Sequence, residues 1–185
     1  MMTEISLNVL DIAENSTRAG ATLVHITVSA DLTGDRLTII IEDNGCGMTP
    51  EQVANVIDPF FTSRTTRKVG LGVPFFKYAA ESTGGSFLIQ SRLNEGTVVT
   101  AEFVLSHIDR MPLGDINATI HSLIVYHPET DFRYEYSYDG RSFTLDTREF
   151  RDILGDVPFH VPEVSSYIKE YLDENKLETD GGAIY

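Results

Sequence analysis

The sequence has a single cysteine, Cys46, which excludes an internal disulfide and any cysteine-based metal cluster. Cations are scarce: 14 Lys and Arg stand against 28 Asp and Glu, a formal net charge of -14. Phosphate backbones bind through clustered basic residues and counter-ion release, so this balance argues against a nucleic-acid partner. No apolar run approaches the roughly 20 residues that a membrane-spanning helix needs, and no secretory signal opens the chain. The expectation is a cytoplasmic protein with no membrane association. There is no G-x-x-x-x-G-K-[ST] phosphate loop, and no strand leads into a G-x-G-x-x-G turn of the dinucleotide-binding type. Internal repeats and low-complexity tracts are absent too.

What remains is an ordinary globular text of 185 residues, 42% of them apolar, enough for one domain or one domain with an appendage. Ile5, Val9 and Ile12, with Leu10 and Ala13, recur at helical spacing, predicting a helix over 3–19 capped by Thr3 and stopped at Gly20. Strands are expected over 23–30 and 36–43, the second nearly continuous in apolar residues. A short helix should open at Pro50, and another should span 73–83 before Gly84-Gly85. Strands over 86–93 and 96–105 complete an α/β sandwich with helices on one face of its sheet.

A boundary is placed at 105/106. Beyond it TIHSLIVYH reads as a strand, FRYEYSYDGRSFTLD as a hairpin turning at Asp139-Gly140, and 147–154 and 162–174 as short helices. The tail LETDGGAIY reads as loose. The fold class is thus α+β: a sandwich over 1–105 plus a small α+β extension over 106–185. Phe132, Tyr134, Tyr136 and Tyr138 alternate on one strand face, which is either core or a surface for self-association.

Several stretches carry possible chemistry. Glu4, Asn8, Asp11 and Asn15 form one polar stripe along the first helix, either a solvated face or a metal-and-water site, because an Asn oxygen can ligate Mg²⁺. Three glycine clusters follow, at 43–47, 69–73 and 95–97. The middle one opens a helix, whose free N–H groups attract phosphates, and Arg64, Arg67 and Lys68 stand just before it. Cys46 lies inside the first cluster, as a small filler or a reactive thiol.

Taken in order, these pieces resemble the superfamily of ATPases and kinases that includes DNA gyrase, a heat-shock chaperone, sensor histidine kinases and mismatch-repair ATPases. Its ATP-binding domain is the Bergerat fold, and the likeness covers about residues 3–105. LDIAENSTRAGAT is similar to the mismatch-repair form of the N-box, and EDNGCGM to the first glycine box. DPFFTSR followed by VGLGV resembles the F-box and second glycine box of histidine kinases, and Glu95-Gly96-Thr97 the terminal glycine–threonine motif.

The resemblance implies ATP and Mg²⁺ as ligands. Asp43 would accept from the adenine amino group, with Gly45, Gly47 and Met48 beside the base and Thr97 supporting it. Asn15 would bind Mg²⁺. Gly70, Leu71, Gly72 and Val73 would hold the phosphates, joined by Arg64 and by Lys68, which is either a phosphate contact or solvated. Where the mismatch-repair and gyrase members place a catalytic Glu, this chain has Asp11, one methylene shorter, as candidate base. Nothing precedes the first helix, so a phospho-acceptor hairpin is expected on a partner in trans, such as a response regulator or a sigma-type factor. A slow ATPase switch and a non-catalytic nucleotide-gated adaptor are the other readings, and a homodimer is allowed by the aromatic face.

Overall fold

A computed structural model describes residues 3–58 and 71–185. The chain runs α1 (Ile5–Arg18), β1 (Leu23–Asp31), β2 (Arg36–Asp43), α2 (Pro50–Ile57), α3 (Gly72–Glu81), β3 (Ser86–Arg92), β4 (Gly96–Val104), α4 (Ile116–Tyr126), β5 (Asp131–Tyr138), β6 (Arg141–Asp146), α5 (Thr147–Leu154) and α6 (Pro162–Asp180). Among the described residues six strands form one mixed sheet in the order β3-β4-β2-β1-β5-β6. β1 and β5 are parallel, and every other pair is antiparallel. This is the α+β architecture expected from the sequence.

The alternation of the strands decides which face is covered. Val24, Ile26 and Val28 of β1, Leu37, Ile39 and Ile41 of β2, and Ala101 and Phe103 of β4 are all buried. They point to the side on which α1, α3, α4 and α6 pack. The intervening residues, among them His25, Thr27 and Thr38, are only half-buried and leave the other face open.

The first helix meets the core through Ile5, Val9, Ile12 and Ala13, as its spacing indicates. Its cap differs: Glu4, not Thr3, occupies the N-cap and makes no side-chain cap bond. Two of the amide groups that a helix start leaves open instead donate to the 112–113 segment, Ile5 N–H to Pro112 O at 3.0 Å and Ser6 N–H to Leu113 O at 2.9 Å.

Two expectations for the chain after Leu105 fail. TIHSLIVYH is helical, not extended, because Asp115 caps it by accepting from Ala118 N–H at 2.9 Å. Ile116, Ile120, Leu123 and Ile124 then lie on one buried stripe against α1, α6 and β5. The tail is not loose either. α6 continues to Asp180, and Leu113 N–H donates to Tyr185 O at 2.7 Å. The Tyr136 hydroxyl donates to Asp180 at 2.7 Å and meets the Tyr185 hydroxyl at 2.5 Å. Burial, joined by those neighbours, pushes the Tyr136 phenol far above its ordinary range, and Tyr185 rises to about 12.

The hairpin at Asp139-Gly140 forms as expected, with both residues at positive φ. Phe132, Tyr134 and Tyr136 are fully buried and Tyr138 stacks on Tyr185, so the aromatic face is core rather than a free surface. Among the described residues no helix is long and apolar enough to cross a membrane.

Candidate functional site

A cavity of about 410 Å³ opens where the C-terminal end of β2 meets α1, α2, α3 and β4. Its volume falls in the range of small-molecule sites. Ile12, Val56, Val73, Ile89 and Val99 give it apolar walls, and Asn15, Ser16, Asp43, Gln52 and Thr97 supply polar groups. A larger hollow of about 480 Å³ lies beside Asn8, Phe75, Tyr78 and Met111. The smaller one draws attention because its polar groups converge.

Asp43 is held from two sides. Its Oδ2 accepts from the Ser16 hydroxyl at 2.6 Å, and its Oδ1 accepts from Gly45 N–H at 2.9 Å. Ser16 has a single proton, so this short bond takes precedence over the 3.3 Å contact with Ile12 O. A carboxylate has about four acceptor positions, so each oxygen keeps one lone pair for a ligand.

Across the register, Asp43 pairs with Thr97 of β4. Ser91 accepts from Met48 N–H at 2.8 Å and donates to Gly96 O at 2.9 Å, which uses its only proton. The 2.8 Å contact between the Thr97 and Ser91 hydroxyls is therefore donated by Thr97. Thr97 then presents lone pairs, not a proton, to the cavity.

The 43–48 loop is fastened to its surroundings. Cys46 N–H donates to Ala19 O at 2.9 Å, and Asn94 N–H donates to Cys46 O at 2.7 Å. Gly47 sits at φ +62°, and a β-carbon there would run into the Arg92 carbonyl. Only glycine suits that position. Beyond the loop, Thr49 and Gln52 form a reciprocal capping box that starts α2 at Pro50.

Asp11 and Gly72 meet at the start of α3. A β-carbon on Gly72 would overlap the Asp11 carboxyl group. Asp11 Oδ2 is buried and has no hydrogen-bond partner among the described residues. Burial raises the Asp11 carboxyl above the usual range, with Arg18 opposing the rise and Glu14 adding to it. One turn on, Asn15 Oδ1 accepts from Arg18 Nη1 at 3.1 Å.

The structure thus gathers Asn15, Asp43, Gly47, Met48, Val73 and Thr97 around one cavity. Gly45 lies behind Asp43 against Ala19, Leu71 is half-exposed at the cap of α3, and Asp11 is packed behind Gly72 rather than lining the cavity. Arg64, Lys68 and Gly70 fall outside the described residues. Sequence reasoning missed Ser16, the donor that fixes Asp43, as well as Gln52 and the walls Ile89 and Val99. A serine one place after Asn15 on the buried side of α1 was the available signal for the first.

Among the described residues no group of three His, Cys, Asp or Glu side chains could hold a metal by itself. The hard, neutral oxygen of Asn15 fits Mg²⁺, an ion that commonly takes one or two protein ligands and completes its shell with phosphate and water.

Residues 1–107 match the family described as "Histidine kinase-, DNA gyrase B-, and HSP90-like ATPase". A protein of Bacillus subtilis (strain 168) named "Probable C4-dicarboxylate sensor kinase" is 33% identical over 79 residues, 43% of this chain and 15% of that protein. The "Sensor protein SrrB" of Staphylococcus aureus (strain NCTC 8325 / PS 47) is 32% identical over 101 residues, 52% of this chain and 17% of that protein. The chain therefore matches less than a fifth of the length of these relatives. The solved structure "Aquifex aeolicus MutL ATPase domain complexed with ADP" superposes with a TM-score of 0.53 at 16% identity, covering 83% of this chain and 70% of that one. That likeness is one of fold.

Proposed function

The chain belongs to the histidine kinase-, DNA gyrase B- and HSP90-like ATPase family, and from that premise we propose that it binds Mg-ATP in this cavity. In this reading it is a cytoplasmic, histidine-kinase-like regulatory protein that acts on a separate partner protein. The observation that carries the nucleotide part is the doubly held Asp43 carboxylate at the mouth of an apolar slot. An acceptor fixed in that way suits the amino group of adenine. Guanine would present a carbonyl to it, leaving two acceptors face to face at a cost of about 1–3 kcal/mol.

Ile89, Val99 and Met48 would pack on the base, and Thr97 would add a second acceptor. The open amide groups at the start of α3, beside Val73, suit the phosphates. Asn15 would hold Mg²⁺ together with phosphate oxygens. When bound, the ion neutralises charge on the transferring phosphoryl group. Phosphoryl transfer asks little covalent chemistry of the protein, so the work of this chain is to place the nucleotide and exclude water from it.

The likeness to sensor kinases favours a protein acceptor over water. A second reading, a slow ATPase switch, would use Asp11 as the base and would require the start of α3 to move, because Asp11 is packed behind Gly72.

Calorimetric titration with Mg-ATP, for the wild type and Asp43→Ala, tests the binding step. Binding that is lost in the variant supports the reading, and a wild type that does not bind overturns it. Label from the γ-phosphate appearing on an added partner protein, rather than as free phosphate, separates the kinase from the ATPase.

A further inference from the structure

The chain after Leu105 touches α1, a helix that lines the candidate site, through His127. This residue ends α4: its N–H donates to Leu123 O, and its carbonyl accepts from Thr130 N–H, both at 3.1 Å. α4 packs along α1, so the ring projects toward the helix that carries Asn15. His127 Nε2–H donates to Glu14 Oε1 at 2.9 Å. A carboxylate only accepts, so the proton must sit on Nε2.

The other oxygen of Glu14 lies 3.8 Å from Arg18, too far for a hydrogen bond. Arg18 instead donates to Asn15 Oδ1 at 3.1 Å. Arg18 thus lies between the two residues, with Nη1 on Asn15 and Nη2 3.8 Å from Glu14, whose other oxygen is held by His127.

We propose that His127 is a positioning residue for the nucleotide site, an inference that rests on the nucleotide reading above. By holding Glu14 it leaves Arg18 on Asn15. A guanidinium can only donate, so it selects the amide orientation that presents oxygen rather than NH₂. That oxygen is the atom assigned to Mg²⁺. With His127 removed, Glu14 takes Arg18, because a carboxylate is the stronger acceptor, and Asn15 loses the donor that sets its flip. The C-terminal residues thereby gain a role: a displacement of the turn between α4 and β5 is felt at Asn15.

Two readouts on the full chain test this. One is the Asn15 side-chain amide signal by NMR without nucleotide, and the other is Mg-ATP affinity by calorimetry. Both are measured in His127→Ala, His127→Gln, Glu14→Gln and the His127→Ala/Glu14→Gln pair. His127→Ala is expected to move the Asn15 signal and weaken Mg-ATP by about two- to tenfold, the worth of ordering one side chain. Gln at 127 keeps an N–H donor and should restore both. In the Glu14→Gln background, His127→Ala should change nothing further.

An Asn15 signal that stays put in His127→Ala, tightened binding, or an equal loss with and without Glu14 overturns the proposal. So does failure of Gln to rescue, which would assign the effect to ring packing against Phe132. A wild type that does not bind Mg-ATP sinks the nucleotide reading alone, and the amide signal still decides the relay.

Discussion

Replacing Gly72 with alanine places a methyl group where the Asp11 carboxyl now lies. The obstacle is the end of a side chain and not backbone, so the carboxyl can swing away at a moderate cost. Overpacking of this kind costs roughly 1–3 kcal/mol. Alanine recovers part of that through better helix propensity, up to about 1 kcal/mol at interior positions and less at the first turn. The net expectation is a loss of about 1–2 kcal/mol, which in a chain of this size lowers the melting temperature by roughly 2–8 °C. The decisive comparison is made in the Asp11→Ala background, where the obstacle is gone. There Gly72→Ala should be neutral or stabilising, giving a coupling of about 1–2 kcal/mol in a double-mutant cycle. Urea denaturation of the four proteins measures it. Equal costs of Gly72→Ala in both backgrounds would refute the placement of Asp11 against α3.

Other outcomes follow from the same geometry. Ser16→Ala removes the donor to Asp43 Oδ2, a bond formed without nucleotide, so it should cost about 1.5–3 kcal/mol of stability in urea denaturation and also weaken Mg-ATP; unchanged affinity by calorimetry would count against the carboxylate as a fixed acceptor. Gly47→Ala, at φ +62° and facing the Arg92 carbonyl, should lose more than about 2 kcal/mol of stability in urea denaturation. Because the folded state raises the Asp11 carboxyl, the unfolded chain holds fewer protons there. Stability is lost as pH rises from the ordinary carboxylate value of 3.8 to the raised one, and Asp11→Asn should flatten that part of a stability–pH profile.

Asp180 behaves in the opposite sense. Its burial is outweighed by hydrogen bonds from Lys176, Tyr136 and Gly182 N–H, which together lower its carboxyl. Its contribution is therefore present above 3.8 and fades as pH falls through the lowered value, a dependence that Asp180→Asn should remove.

Local signals account for what the sequence made legible. The Asp139-Gly140 turn needs two positive φ angles, which those residue types supply, and the apolar spacing of α1 matches its buried face. α4 was misread because its β-branched run has strand propensity. What made it a helix was the Asp115 cap and a buried stripe shared with α1 and α6, and tertiary contacts of that kind override propensity. The tail LETDGGAIY reads as loose, yet the pairing of Tyr185 with Tyr136 and Tyr138 lies outside any short window of sequence.

The site divides in the same way. The resemblance of the glycine motifs implies Asp43 and Gly47, and both line one cavity. Ile89 and Val99 enter only through the β3–β4 register, and Ser16 only through the approach of α1 to the end of β2. The relay through His127 depends on α4, which the sequence alone did not yield.

In the function proposed above, the cavity selects adenine through Asp43. Titration of the full chain with Mg-ATP and with Mg-GTP under the same conditions tests it most directly. ATP should bind, and GTP should bind at least about tenfold more weakly, as expected when buried acceptors face each other. Equal affinities for the two nucleotides, or none for ATP, would contradict it.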